Sequence, residues 1–144
     1  MFIGRYYHRM EEKGRVLIPK TFRDDSKDWI VTRGLDGGIF LFRPETFNKQ
    51  VEELAERTFT KKRHRDFIRY LVNDAKAVTT DKLGRVLLPE YLISFAGLKR
   101  EVVLVGSFEY LELWDQERYH LYLDNLEKSG EELAESLDDD QTKS

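Results

Sequence analysis

The sequence predicts an α+β fold, mainly β with helices, in which one strand-rich unit is used twice within a single chain. Three observations predict it. The phrase EEKGRVLIP at residues 11–19 returns as DKLGRVLLP at residues 81–89, identical at Gly14/Gly84, Arg15/Arg85, Val16/Val86, Leu17/Leu87 and Pro19/Pro89. After each phrase the same order follows: short helix, strand, turn, strand. Self-similarity of this kind marks one structural unit used repeatedly. Amphipathic helical stretches lie between the two copies and after the second.

Each element has a local reason. VLIP and VLLP are short apolar, partly β-branched runs that end at a proline, which cannot continue a central ladder. Gly14 and Gly84 stand just before them, where a turn asks for positive φ or close backbone approach. In the first copy KTFRDD is a short helical stretch, WIVTRG (29–34) a strand, LDGG (35–38) a hairpin turn and IFLF the returning strand. In the second copy EYLISFAGL, EVVLVG (101–106), SFEY and LELW take the same places, with two extra residues around the short helix. SFEY holds no Gly or Asn, so its turn signal is the weaker one.

Pro44 suits the first turn of a helix and Asp115 suits an N-cap. ETFNKQVEELAER places Phe47, Val51 and Leu54 on one stripe, and TKKRHRDFIRYLVN does the same with Phe67, Ile68, Leu71 and Val72. After the second copy, Tyr119, Tyr122, Leu126, Leu133 and Leu137 share roughly one face, with Gly130 a point where the helix kinks or ends. DDDQTKS has too little apolar content to pack and reads as disordered. The expected organisation is a first repeat at 1–47, a helical linker at 48–75, a second repeat at 76–119, a C-terminal helix at 120–137 and an acidic disordered tail at 138–144.

Composition narrows the function. The absence of cysteine removes disulfides, thiolate catalysis and Cys-based zinc sites, and fits a reducing cytoplasm. No apolar run approaches the roughly 20 residues of a membrane span. The start, MFIGRYYHRMEEKGR, becomes charged at once, unlike a signal peptide. The net charge of −3 hides an uneven distribution. Residues 1–100 hold 21 Lys+Arg and 14 Asp+Glu, while residues 101–144 hold 3 and 13. A basic body with an acidic tail points to an anionic partner; the alternative is a solvated surface whose two ends neutralise each other. His8, His64 and His120 are isolated, and no P-loop, G-x-S-x-G or G-x-G-x-x-G is present. No enzyme activity, cofactor, metal or small-molecule substrate is expected.

At this point the chain resembles a known family, the MraZ proteins, bacterial transcription regulators built from two AbrB/SpoVT-type swapped-hairpin units. The phrases that carry the resemblance run from Met1 to about Leu137: MFIG, EEKGRVLIP followed by FR, TRGLDG at 32–37, DKLGRVLLP, AGLKREVVLVG at 96–106 and ELWD at 112–115. The family signature D-x-x-x-R stands in the second copy from Asp81 to Arg85, and the first copy departs from it with Glu11. The resemblance implies tandem swapped-hairpin repeats interleaved into a pseudo-twofold, β-barrel-like body, and ring-like homo-oligomers. It implies a cytoplasmic, nucleoid-associated protein that binds short repeated sites in double-stranded DNA. Those sites lie upstream of the division and cell-wall gene cluster, and the expected outcome is repression of its own operon.

Residue chemistry agrees with a DNA partner. A glycine turn followed by a strand fixes Arg15 and Arg85 on a rigid element, and arginine's planar fork matches phosphate or the guanine edge. Lys13, Lys82, Arg5 and Arg9 are candidate phosphate contacts that position without reading sequence. Glu11, Gly14, Asp81 and Gly84 are expected to shape and orient the turns. The alternative role for Arg15 and Arg85 is to close carboxylate pairs within the turns.

KKRHR at 61–65 sits at a helix start, where the macrodipole disfavours cations. It calls for a compensating anion, either the acidic C-terminal segment of this or a neighbouring chain, or DNA phosphate. A function of another class is an antitoxin-like interaction module whose C-terminal segment captures a partner protein. That reading calls for an extended tail with separated anchors, whereas the segment up to Leu137 is helical in pattern.

Overall fold

The structure, a computed structural model, describes residues 1–57 and 60–142, and the side chains of 1–56 and 60–138. Within the first repeat lie β1 (Arg5–Arg9), β2 (Arg15–Leu17), β3 (Asp28–Arg33) and β4 (Ile39–Phe42). Two helices follow, α1 (Pro44–Arg57) and α2 (Lys62–Val72). The second repeat holds β5 (Lys76–Thr79), β6 (Arg85–Leu87), α3 (Glu90–Ala96), β7 (Glu101–Gly106) and β8 (Leu111–Asp115), and α4 (Gln116–Thr142) follows it. None of these helices is long and apolar enough to cross a membrane.

The repeats exchange their first strands. β1 pairs with β7 of the second repeat, and β5 pairs with β3 of the first, giving the antiparallel order β1-β7-β8-β4-β3-β5. Replacing each strand by its counterpart in the other repeat reproduces this order read backwards. A pseudo-twofold axis therefore passes between β4 and β8. It passes again through the two-stranded ribbon β2–β6, where Val16 faces Val86. The fold is α+β, but among the described residues the barrel-like closure suggested by the resemblance is absent: β1 and β5 are open edges. Each ribbon strand spans three residues and stops two short of a proline, so the ribbon is too short to bridge those edges.

Strand alternation divides the side chains between two faces. On the inner face Trp29, Val31, Ile39, Leu41, Val102, Leu104, Leu111 and Leu113 pack with Val16 and Val86 of the ribbon and with Ile18, Leu88 and Leu92. On the outer face Phe40 and Phe42 pack with Phe47 of α1 and Leu71 of α2. Val103 and Trp114 pack there with Tyr119 of α4, together with Tyr122 and Leu123. The body thus has three layers: helices, sheet, and ribbon with the short helices.

The two copies solve the same local problems differently. Asp36 in LDGG and Phe108 in SFEY both adopt the left-handed conformation, with φ of 70° and 71°. Asp tolerates it; a bulky Phe does not without help. The help is a strap: Phe2 N–H donates to Phe108 O at 2.7 Å and Phe108 N–H donates to Phe2 O at 2.8 Å. After the ribbon, the first copy has only a 3-10 turn, Lys20–Phe22. The second has room for the seven-residue α3, closed by Gly97 at φ 61°. Asp115 caps α4, its Oδ2 accepting from Arg118 N–H at 3.3 Å.

α4 passes through Gly130 without a break and continues to Thr142, beyond the Leu137 boundary and into the segment expected to be disordered. Residues 131–138 are exposed, so the helix there rests on the propensity of Glu, Leu and Ala rather than on packing. Lys143 and Ser144 lie outside the described residues.

The N-terminal strap predicts a stability effect. A Cβ at Gly106 would lie 2.5 Å from both the Ile3 nitrogen and the Phe2 carbonyl carbon, backbone atoms that cannot swing aside. Gly106→Ala should destabilise the fold by about 1–3 kcal/mol, read as a lower thermal midpoint by circular dichroism. An unchanged midpoint would mean that the strap is not held against β7.

Candidate nucleic-acid interface

The second turn is built around one carboxylate. Asp81 Oδ1 accepts the backbone N–H of Leu83 at 2.9 Å and that of Arg85 at 3.0 Å, and Oδ2 accepts Arg85 Nε at 2.9 Å. Gly84, at φ 86°, turns the chain into β6. Hydrogen bonds from the Arg85 backbone and side chain hold the Asp81 carboxyl below its ordinary range. The four-residue spacing from Asp81 to Arg85 is what lets one side chain satisfy the turn and orient the arginine together.

The first turn lacks this device. Glu11 makes no side-chain capping bond to its own turn, and the chain takes two successive left-handed residues, Lys13 at φ 65° and Gly14 at φ 80°. The extra methylene carries the Glu11 carboxylate across the pseudo-axis instead, where its Oε1 accepts Arg85 Nη1 at 3.1 Å. Arg85 is therefore held by two carboxylates, Glu11 first and Asp81 second, which raise its pKa. Arg15 makes no side-chain hydrogen bond or ion pair among the described residues. It shares with Arg85, Lys13, Glu11 and Glu12 the wall of a concavity of about 460 Å³.

The structure separates the remaining candidates. Lys82 stands exposed beside the second turn. Alternation along β1 puts Arg5, Tyr7 and Arg9 on the α4 side of the sheet, away from the ribbon. Tyr7 Oη lies 2.9 Å from His120 Nε2 of α4. Arg5 lies beside Tyr119, whose phenol is pushed up by burial against the opposing pull of that arginine. Arg9 pairs with Glu101 at 3.1 Å. The basic group at the start of α2 sits on the helical face of the body. Asp66, one turn in, accepts Lys62 at 2.6 Å and Arg69 at 2.9 Å, so part of the anion expected there comes from the same helix.

One cation near the turns had no signal in a single phrase of sequence. Arg23 lies against Gly84: a Cβ on that glycine would fall 2.1 Å from Arg23 Nη1. Its counterpart by pseudo-symmetry is Ile93, whose Cδ1 sits 2.8 Å from the equivalent point on Gly14. At the offset that matches the two phrases the sequence holds an arginine at one position and an isoleucine at the other, but that both stand against the turn glycine is seen only in the fold.

Comparison with known proteins gives a consistent result. The family model described as "MraZ protein, putative antitoxin-like" matches residues 1–70 and again 71–141. A protein of Halothermothrix orenii named Transcriptional regulator MraZ is 38% identical over 140 residues, covering 96% of this chain and 98% of its own. Proteins of the same name from Carboxydothermus hydrogenoformans and Finegoldia magna are 39% and 34% identical with the same coverage.

The geometry of the second turn sets a pH dependence. Because the folded-state pKa of Asp81 is lowered, its contribution to stability is complete above the ordinary Asp value of about 3.9. That contribution is lost as pH falls through the lowered value. Asp81→Asn should therefore cost stability at about pH 7 and cost no more once the wild-type carboxylate is protonated. Denaturant titrations of both proteins across this range check it; a pH-independent difference would remove the carboxylate from the account.

Proposed function

The chain belongs to the MraZ family, and from that premise we propose that it is a sequence-specific DNA-binding transcriptional regulator acting as an oligomer. The observation that carries the reading is the β2–β6 ribbon. It is a two-stranded antiparallel element, of the kind the major groove admits. Each of its strands begins with an arginine on a rigid frame, Arg15 and Arg85, and Arg15 has no side-chain partner among the described residues.

Lys13 and Lys82 flank these turns and supply phosphate contacts that set register. Arg5 and Arg9 are the weaker members of the proposed contact set, being placed on the α4 side. A ring of subunits repeats the ribbon surface. Modest single sites then combine through effective concentration when the target DNA repeats at matching spacing. The regulatory outcome proposed is repression of the chain's own operon, in the division and cell-wall gene cluster. Capture of a partner protein by the C-terminal segment is the less favoured reading. That segment is helical from Gln116, and its first turns pack on β7 and β8 through Tyr119, Tyr122 and Leu123.

Fluorescence anisotropy on duplexes taken from upstream of this gene, against scrambled duplexes and across salt, tests the proposal. The native duplex should bind tighter, with affinity falling steeply as salt rises. Arg15→Ala should cost about 1–3 kcal/mol on the native duplex. Equal affinity for native and scrambled DNA would sink the sequence-specific reading.

A further inference from the structure

The two turns match in backbone and differ in what lies behind them. Behind the second is a pocket of about 200 Å³ whose wall carries Lys20, Arg23, Lys27 and Lys82. Two carboxylates also line it, and both are already engaged. Asp24 accepts Ser26 N–H at 2.8 Å and pairs with the buried guanidinium of Arg43 at 2.8 Å. Asp81 is taken by its own turn and by Arg85. The four cations have no side-chain hydrogen bond or ion pair among the described residues. Arg23 Nε is buried without a hydrogen-bond partner there, an expensive state for a donor that carries charge.

The frame does not require three of these four cations, Lys27 alone having a lysine, Lys99, as its counterpart. At the same register around the first turn, Lys20, Arg23 and Lys82 become Glu90, Ile93 and Glu12. Ile93 Cδ1 takes the place of the guanidinium against Gly14, at 2.8 Å from the Cβ position where Arg23 Nη1 stands at 2.1 Å on Gly84, so an aliphatic side chain can occupy the site. A guanidinium and three ammonium groups facing one small cavity match a tetrahedral oxyanion, with the planar fork as donor and the lysines as point charges. We propose that this pocket is a subsite for one DNA backbone phosphate, with Arg23 as its central donor, and that it serves the second turn alone.

The proposal rests on the DNA-binding reading above. It explains how the second turn can engage DNA although Arg85 is tied to Glu11 and Asp81. The ion-pair chain Asp81–Arg85–Glu11 joins the pocket to the concavity that holds Arg15. A single DNA strand can therefore be held at one turn through phosphate and met at the other by a free arginine.

The test uses the full chain with Lys27→Ala and Arg23→Gln. Anisotropy is measured on native and scrambled duplexes across salt, alongside the Arg23 Nε–H resonance during titration with inorganic phosphate. Each variant should weaken both duplexes by the same factor and make the log-affinity against log-salt slope shallower by about one. The Arg23 resonance should shift with phosphate in the wild type and shift less in Lys27→Ala. Lys27 is exposed, so that variant keeps the fold if Arg23→Gln does not. Variants that match a wild type binding the native duplex overturn the subsite alone, as does a loss confined to the native duplex. A wild type that binds neither duplex overturns the DNA reading and the subsite's ligand with it.

Discussion

The pairing of β2 with β6 across the pseudo-axis is the constraint on which the rest of the molecule depends. Each turn holds the other repeat's strand as well as its own. Ile18 N–H donates to Gly84 O at 2.9 Å, and Leu88 N–H donates to Gly14 O at 2.9 Å. Val16 and Val86, both fully buried, close the inner face of the sheet beneath that pair. Left-handed glycines at 14 and 84 are what allow the carbonyls to point across rather than back. The two arginine-bearing turns are therefore fixed relative to each other by reciprocal backbone bonds, a preorganisation that a flexible pair of loops lacks.

That frame is carried by backbone groups and small apolar side chains, which leaves the rest of each repeat free to diverge. Glu11 for Asp81 costs the first turn its cap yet gains a bond across the axis to Arg85. Arg23 for Ile93 leaves the contact with glycine in place and changes what the pocket can hold. Tyr91, on α3, donates its hydroxyl to Asp74 O at 2.8 Å, where the first repeat has the short Thr21 at the same register. A symmetric scaffold thus presents an asymmetric surface.

The local parts of this architecture were legible in the sequence because they are written in adjacent residues. Gly14 and Gly84, the LDGG hairpin, Pro44 and the Asp115 cap each declare a turn or a helix start within a few positions. The pairing of β1 with β7 was not legible from residues alone, since strand exchange is decided by which edge is vacant once the core has formed. Nor was the face taken by Arg5 and Arg9, which depends on Tyr6 packing inward among the core and so sending its neighbours toward α4. The bond between Arg85 and Glu11 spans 74 positions and depends on a single methylene. The reach of α4 past Leu137 was not legible because DDDQT has no apolar residue to pack, whereas a helix already running through EELAES can propagate into a polar stretch without packing.

The layered fold also bears on how a chain of net charge −3 would meet the anionic partner proposed for it. The acidic α4 lies on the outer face of the sheet and the ribbon on the inner face. Two layer spacings of about 10 Å, roughly 20 Å in all, separate the ribbon from the first turns of α4, which pack on β7 and β8. At physiological ionic strength the Debye length is about 8 Å, so across solvent the carboxylates in the first turns of α4, such as Glu117, are largely screened from the cations beside the ribbon. Net charge is then a poor guide to local charge: Lys13, Arg15, Lys82 and Arg85 stand at the ribbon, while the helical face carries both the acidic α4 and the basic start of α2. At low salt the screening length grows to about 30 Å and the two faces begin to offset each other. The same sheet that buries the core therefore also acts as an electrostatic spacer, and under the proposed function it would turn the ribbon rather than α4 toward DNA.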